Sequence, residues 1–257
     1  MDQTRFVQQI ETVGYAILKG ILPLDLLAPL KQELSKAIEI EERYRVAHSV
    51  PSHQGMVLLC SLYGPNLVSV LGLESLMTPF EWILGPGCII YAYTSSSMPP
   101  HGSNYSARVH VDCPRAIPGY LSNIGATVLL DDFTVENGAT WFLAGSQTRT
   151  AQPSDEEFYS LGQRVIAPAG SVFYFNARLW HAGGVNQTQD WRHALTINMC
   201  RPYMKQRIDI PRAMAGLDHH TYSKRIRQKL GFLSQPPANY EEYYADPEQR
   251  TFSQQYE

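Results

Sequence analysis

The spacing of the hydrophobic residues changes about a third of the way along the chain. Before that point apolar side chains recur at helical intervals, which predicts helices over residues 3–12, 26–42 and 65–84. The apolar run Tyr15–Leu18 predicts a strand between the first two helices. Asp25 stands just before the second helix, where its carboxylate is a candidate N-cap.

From Cys88 onwards the chain consists of short β-rich runs separated by glycine, proline, asparagine and aspartate. This pattern is typical of a β-sandwich or barrel, which we expect over residues 88–202. The tail 203–257 is polar, with one helix expected near 219–230, and we expect it to wrap the core. The sequence therefore predicts a single domain over 1–257, with residues 1–87 as a helical support.

Composition excludes several classes of protein. The chain of 257 residues carries 21 basic and 24 acidic side chains, which argues against a broad basic face for nucleic acid. No apolar run approaches the ~20 residues that cross a bilayer, so we expect no membrane partner. The four cysteines form no CxxC pair, and the N-terminus has no apolar leader. These features favour a cytoplasmic location.

His110 and Asp112 are the first candidate metal ligands. They stand two residues apart, and in a strand residues i and i+2 point to the same face. An imidazole and a carboxylate would then project side by side, as two ligands of a three-ligand site require. Taken alone, such a pair more often marks an exposed strand with a polar face.

His181 supplies the third candidate ligand. It precedes Ala182-Gly183-Gly184, where a strand is expected to end and a side chain can reach a barrel mouth. A buried histidine bonded to a backbone carbonyl is the alternative at this position. Two histidines and one aspartate on one face of a metal form the triad typical of non-haem Fe(II) oxygenases. Oxygen-only ligation would favour calcium or magnesium, and cysteine ligation zinc.

Arg192 is a candidate anion anchor. If residues 192–200 form a strand, Arg192 shares one face with Ala194, Thr196 and Asn198. An inward arginine is costly to bury unless an anion meets it, and a dicarboxylate cosubstrate would supply a bidentate partner. An exposed arginine on an edge strand is the alternative.

Read in order, these segments resemble the phytanoyl-CoA dioxygenase family. The matching segments are HVD, then LLDDFTVENGATWFLAGSQ, then APAGSVFYFNARLWHAGGVNQTQDWRHAL. GYAILKGILPLDLLAPLKQEL resembles the family's opening strand and helix, and QKLGF its C-terminal helix. The resemblance covers most of the chain. It implies a mainly β fold with supporting helices around a double-stranded β-helix (jelly-roll, cupin-like) core.

The resemblance also implies an Fe(II)- and 2-oxoglutarate-dependent dioxygenase. Position by position, it assigns the iron to His110, Asp112 and His181, and the distal carboxylate of 2-oxoglutarate to Arg192. O2 would be the second cosubstrate, with ascorbate as a supporting reductant. Halogenating relatives have a small residue in place of Asp112. The aspartate therefore favours hydroxylation, desaturation or cyclisation of a small molecule, as in secondary metabolism, with release of succinate and CO2.

Two positions depart from the family pattern. The expected Pro-Gly-Ser-His reads Ala144-Gly145-Ser146-Gln147, which we expect to be a turn outside the site. Thr127 stands where several members carry a tryptophan near 2-oxoglutarate. The hydroxyls of Thr127 and Thr140 are therefore candidate partners of a cosubstrate carboxylate, although threonine is also simply a good strand former.

Residues near the HVD motif are candidates for substrate binding. Arg108 and Arg115 flank the motif and are expected to meet an anionic substrate, and Tyr93 and Tyr105 are expected to stack on it. Ordinary loop and surface roles fit the same residues.

Two other functions remain open on the same fold. A cupin-like metal isomerase or hydrolase needs no 2-oxoglutarate anchor, so the role of Arg192 discriminates it from the oxygenase. A non-catalytic binding protein would need neither the arginine nor the three ligands.

Overall fold

Two antiparallel β-sheets form the centre of the molecule. The structure is a computed structural model that describes residues 2–50, 54–247 and 249–250. Five strands form the major sheet in the order β1-β6-β3-β8-β2, and three short strands form the minor sheet in the order β5-β4-β7. The strands are β1 Tyr15–Leu18, β2 Ile89–Ser95, β3 Asn123–Leu129, β4 Trp141–Phe142, β5 Gln163–Arg164, β6 Val172–Asn176, β7 His181–Ala182 and β8 Ala194–Cys200. The predicted mainly β fold with supporting helices is confirmed.

Helices cover the major sheet from the N-terminal and C-terminal parts of the chain. The helices of the described residues, including α5, which packs beside the minor sheet, are α1 Gln3–Thr12, α2 Leu24–Ala47, α3 Pro65–Ser69, α4 Glu74–Leu84, α5 Asp155–Leu161, α6 Ile210–Ala213, α7 Lys224–Leu230 and α8 Tyr240–Tyr243. The strand and helix predicted before residue 20 are confirmed. The prediction that Asp25 caps α2 is wrong, because Pro23 occupies the N-cap position and Asp25 lies inside the first turn. There its carboxylate favours the positive end of the helix dipole.

Two predicted helices are interrupted. The helix expected over 65–84 divides into α3, a 3-10 turn over Val70–Gly72, and α4, because Leu73 adopts an extended conformation with ψ 120°. In the tail, α7 starts only at Lys224, since Ser223 caps it through its side chain. None of the helices described is long and apolar enough to span a bilayer alone, and α3 and α4 meet that test only as a bent pair.

Both faces of the major sheet are buried. On β3, Ile124 and Val128 pack against the helices, whereas Leu129 belongs to a second cluster between the two sheets. In that second cluster Phe142 of β4 meets Phe173 of β6, with ring centroids 5.2 Å apart. Because side chains alternate along a strand, the intersheet space receives every second residue of β3, β6 and β8. The polar residues described next lie in that space.

Candidate active site

His110, Asp112 and His181 converge at one point. One potential ligand atom from each residue lies within 4.8 Å of the others. Oδ1 of Asp112 is 3.6 Å from Nε2 of His110 and 3.7 Å from Nε2 of His181. One ion bound at about 2.1 Å from each atom would bridge such separations. The three side chains that the sequence pattern singled out therefore form a compact two-histidine, one-carboxylate cluster.

The backbone brings the cluster together in a way that differs from the prediction. His110 and His181 exchange both backbone hydrogen bonds, each with an N···O distance of 3.0 Å, so residue 110 extends the minor sheet beside β7. The prediction that Asp112 lies on the same strand as His110 is wrong. Asp112 follows this single bridge, and the backbone N–H of Cys113 fixes the turn by donating to the Ala177 carbonyl at 2.9 Å.

Both imidazoles present Nε2 to the centre of the cluster. Nδ1 of His110 lies 2.8 Å from the Arg108 carbonyl, and Nδ1 of His181 lies 2.9 Å from the Leu179 carbonyl. Since a carbonyl only accepts, Nδ1 carries a proton in each ring, and in the neutral form of each ring Nε2 is the nitrogen with a lone pair for a metal. Backbone bonding and a ligand role are thus compatible for His181.

Burial controls the charges in the cluster. Burial and the positive charge of the nearby His110 lower the pKa of His181 to about 4. This ring is therefore neutral at pH 7. Burial alone would raise the pKa of Asp112, but hydrogen bonding and charge from His110, with the charge of His181, outweigh it and lower that pKa. The cluster therefore combines a neutral buried imidazole with an ionised carboxylate, which is the state that binds a cation.

Asn198 is a site residue that sequence reasoning did not single out as functional. Its side-chain amide donates to Oδ2 of Asp112 at 3.2 Å, and its Oδ1 accepts from Asn123 at 3.2 Å. The signal was present, since Asn198 stands an even number of residues from Arg192 on the same strand face. Asp112, the residue to which Asn198 donates, lies 86 positions away in sequence, so no local pattern connects the two.

Arg192 is buried just before the first residue of β8, at the end of the strand opposite Asn198. It is 2% exposed, and its guanidinium donates to the Ser96 and Gly138 carbonyls at 2.6 and 2.8 Å. The strand begins only at Ala194, so Arg192 is held instead by a backbone bridge to Met98. The alternative of an exposed edge arginine is wrong.

The charge of Arg192 has no ion-pair partner among the described residues. Its guanidinium lies 4.1 Å from the Phe133 ring centroid, and its Nε is buried without a hydrogen-bond acceptor. Burial lowers the pKa of Arg192 to about 9, although the negative charge of Asp131 opposes this shift. A buried cation with a free donor fits the carboxylate of a bound cosubstrate.

A row of threonines lies between Arg192 and the cluster. In the register of the major sheet, Thr127 of β3 pairs with Thr196 of β8, which pairs with Thr94 of β2. Thr127 is buried on the intersheet face, as the prediction for a cosubstrate partner requires. Thr140 is also buried, directly before β4, whose Phe142 pairs with His181.

The predicted substrate residues are divided between the site and other parts of the molecule. Tyr105 is close to the cluster: its phenol is hydrogen bonded to Thr94, and burial together with the charge of Asp112 raises its pKa. The prediction for Tyr93 is wrong, because this side chain is fully buried in the helix-facing core and its hydroxyl donates to the Leu67 carbonyl at 2.9 Å. Arg108 and Arg115 are exposed.

The turn Ala144-Gly145-Ser146-Gln147 supports the site from outside. Gly145 has a φ of 76°, a conformation that favours glycine. Ser146 Oγ accepts from the backbone N–H of Trp180 at 3.0 Å, directly before the His181 ligand position. The turn therefore helps to place His181 without entering the cluster.

Comparison with known proteins gives a family match for the part of the chain that holds these residues. The family model described as phytanoyl-CoA dioxygenase (PhyH) matches residues 70–194, which include the cluster and Arg192. Over 259 aligned residues the chain is 27% identical to protein Mb1539 of Mycobacterium bovis and to protein Rv1501 of Mycobacterium tuberculosis. Each alignment covers 98% of this chain and 94% of the relative.

Solved structures share the fold at low sequence identity. AviO1 from Streptomyces viridochromogenes Tue57 is 21% identical with a TM-score of 0.57, and covers 79% of this chain and 97% of its own. The non-haem alpha-ketoglutarate-dependent epimerase SnoN from nogalamycin biosynthesis is 18% identical with a TM-score of 0.60, covering 80% and 87%. The non-haem monooxygenase ThoJ is 18% identical with a TM-score of 0.63, covering 79% and 80%. At these identities the likeness is one of fold.

Proposed function

We propose that this chain, whose residues 70–194 match the phytanoyl-CoA dioxygenase family model, oxidises a C–H bond of a small-molecule metabolite. In this proposal His110, Asp112 and His181 hold Fe(II), and Arg192 holds 2-oxoglutarate, which is converted to succinate and CO2. Hydroxylation is the proposed outcome, with desaturation and cyclisation as outcomes of the same chemistry.

The buried charge of Arg192 is the observation that carries the proposal. A metal site alone would be served by the three ligands, and an isomerase or hydrolase needs no 2-oxoglutarate anchor on the same intersheet face. 2-Oxoglutarate carries a carboxylate at each end. One end suits a metal at the cluster, and the other suits the free Nε donor of Arg192.

The protein groups have separate roles in the proposed reaction. When bound, Fe(II) supplies the redox chemistry that activates O2 for oxidation of the substrate. The two imidazoles, through Nε2, and the ionised Asp112 would bind the ion, and Asn198 orients the carboxylate. In this proposal the hydroxyls of Thr127 and Thr196, which pair in the register of β3 and β8, donate to 2-oxoglutarate. Phe175, whose ring centroid is 4.8 Å from that of His181, excludes water from one side.

We also propose a small-molecule substrate and a cytoplasmic location. SnoN, which shares the fold, has a structure in complex with Fe3+, alpha-ketoglutarate and nogalamycin RO. All four cysteines of this chain are free thiols, and three of them are buried. Unpaired thiols are typical of proteins from reducing compartments.

Binding and turnover of 2-oxoglutarate test the proposal. We expect Fe(II)-loaded protein to bind 2-oxoglutarate, and to release succinate in air in the presence of ascorbate. Asp112→Ala should abolish metal binding. Arg192→Gln should leave metal affinity unchanged and weaken 2-oxoglutarate binding at least about tenfold, because a charge-assisted contact is lost.

Arg212→Gln is the matched control, because the Arg212 side chain is 85% exposed and replacing it removes an equal charge. Equal affinity for 2-oxoglutarate in the Arg192 and Arg212 variants would favour the isomerase or hydrolase instead. Absence of metal binding by the wild-type protein would contradict both enzymatic functions.

A further inference from the structure

A cleft of about 530 Å³ opens where β3 begins and β6 and β8 end. Asn123, Asn176 and Arg201 come from these strand ends and line it. The segment 115–122, which follows the HVD motif, closes one side. The cleft therefore lies at the edge of the major sheet, directly after the chain leaves the metal cluster.

Positive charge dominates the lining of this cleft. Arg115, Arg178 and Arg201 line it, against the single carboxylate of Glu11 among the described lining residues. Such an excess attracts an anion.

The guanidinium of Arg178 is held in place by neutral groups. It donates to the carbonyls of Gln147 and Arg149 at 3.0 and 2.7 Å, and also to the carbonyl of Pro114. Carbonyl oxygens orient a guanidinium but leave its positive charge uncompensated. Two of its five N–H donors remain available to a ligand.

Arg201 is fixed in the same manner. It donates to the carbonyls of Ile83, Leu84 and Leu121 at 3.2 to 3.4 Å, and its guanidinium lies 4.5 Å from the Tyr120 ring centroid. Neither Arg178 nor Arg201 pairs with a carboxylate in the described part of the chain. Two preoriented cations therefore face one cleft, with the exposed Arg115 at its rim.

The rest of the lining is largely apolar. Trp82, Ile83, Ile117 and Leu121 contribute hydrophobic surface to the cleft. Gln147 lines it as well, and its side-chain amide donates to the Glu11 carbonyl at 3.0 Å. A ligand that matches this lining has an anionic end and an apolar body.

The cleft is separated from the metal cluster by a single layer of amide side chains. Asn123 lines the cleft and donates to Asn198, which in turn donates to Asp112. Cys113, adjacent to Asp112 in sequence, also lines the cleft. A molecule that fills the cleft therefore lies beside the proposed iron ligand.

We propose that this cleft is a second binding site, and that its ligand is an amphipathic organic anion whose carboxylate or phosphate meets Arg115, Arg178 and Arg201. Binding to the cleft needs neither metal nor 2-oxoglutarate, so this inference stands apart from the proposed reaction. Arg115 is the residue to test, because it is exposed and its replacement leaves the fold intact, whereas Arg178 and Arg201 anchor backbone segments.

The test compares 1-naphthoate with its uncharged analogue 1-naphthamide by titration calorimetry on metal-free protein. We expect naphthoate to bind more tightly than naphthamide. Arg115→Gln should weaken naphthoate about fivefold and leave naphthamide unchanged, because one cationic contact is lost. Arg115→Lys should restore most of the affinity. Arg108→Gln is the matched control, since Arg108 is an exposed arginine on the other side of the HVD motif, outside this cleft.

Three outcomes would overturn the proposal. One is equal affinity for naphthoate and naphthamide, and another is equal weakening by the Arg115 and Arg108 variants. The third is weakening by Arg192→Gln but not by Arg115→Gln, which would place the anion at the cosubstrate anchor.

A second measurement tests whether the anion bound in the cleft lies near the metal cluster. With Mn(II) bound, the proton relaxation of naphthoate should be faster than with Zn(II), because a paramagnetic ion relaxes nearby nuclei. Bound Mn(II), verified by electron paramagnetic resonance, without faster relaxation would show that naphthoate binds somewhere other than this cleft. Failure of Mn(II) to bind would instead contradict the proposed function, and the metal-free titration would still decide whether the cleft binds anions.

Discussion

The side-chain amide of Asn198 donates a hydrogen bond of 3.2 Å to Oδ2 of Asp112, while Oδ1 of the same carboxylate faces the two histidines. The two carboxylate oxygens therefore have separate partners. One is bonded to the major sheet, and the other is directed to the metal cluster. This division fixes the orientation of a ligand that no strand supports, since Asp112 lies in a bend.

Replacement of Asn198 is expected to weaken metal binding without unfolding the protein. In Asn198→Ala the carboxylate of Asp112 loses its orienting donor, and changes of this kind typically reduce metal affinity by about 10- to 100-fold. Competition with a chromophoric chelator measures the affinity for Zn(II) or Fe(II). Asn239→Ala, at an exposed asparagine, is the control. An unchanged affinity in the Asn198 variant would show that Asp112 is oriented by other contacts.

Gly125 is expected to be required for the packing of Phe175. A Cβ at position 125 would lie 2.4 Å from the Phe175 ring, and this ring packs on His181 with centroids 4.8 Å apart. Gly125→Ala should therefore cost about 1–3 kcal/mol of unfolding free energy, as overpacking does, and should also lower metal affinity. Urea denaturation measures the first effect and chelator competition the second. Gly216→Ala is the control, since a Cβ there meets nothing within 4 Å. Equal stability of the two variants would contradict the packing argument.

Asp131 is expected to make stability depend on pH in the acidic range. Burial alone would raise the pKa of Asp131, but hydrogen bonds from His193 and Lys31 outweigh it and lower that pKa from 3.8 to about 2. Because the folded-state pKa is depressed, this contribution is fully present above pH 3.8 and is lost as the pH falls towards 2. Its size is about 2 kcal/mol.

Asp131→Asn should accordingly destabilise the protein by about 2 kcal/mol at pH 7. The difference in unfolding free energy between wild type and variant should shrink as the pH falls below 3.8. Denaturant unfolding at several pH values measures this difference. Asp209→Asn, at a half-exposed aspartate, is the control. A difference that stays constant down to the lowest measurable pH would show that the carboxylate charge is not the cause.

Sequence reasoning worked best where residue type and spacing are sufficient. The β-rich core with its helical support followed from the change in hydrophobic period, and the resemblance to the dioxygenase family implied the double-stranded β-helix. The grouping of His110, Asp112 and His181 followed from their chemistry, even though the predicted strand around Asp112 does not exist. Arg192 was placed on the correct face by a period-two argument, although regular strand geometry begins two residues later.

The prediction for Tyr93 shows where pattern alone fails. Alternation puts Tyr93 and Thr94 on opposite faces of β2, but it does not say which face lies between the sheets. Both faces of the major sheet are buried, one by helices and the other by the minor sheet, so hydrophobicity does not distinguish them. Tyr93 faces the helices, and Thr94 instead joins the row that leads to Arg192.

The sequence by itself therefore determined the fold class, the residue types of the site and their order along the chain, because local periodicity and side-chain chemistry are properties of short segments. Only the tertiary structure decided how those residues meet. The bridge between His110 and His181, the bond from Asn198 to Asp112 and the three arginines of the cleft all join positions far apart in sequence. Such contacts depend on how the two sheets close on each other, which no local pattern specifies.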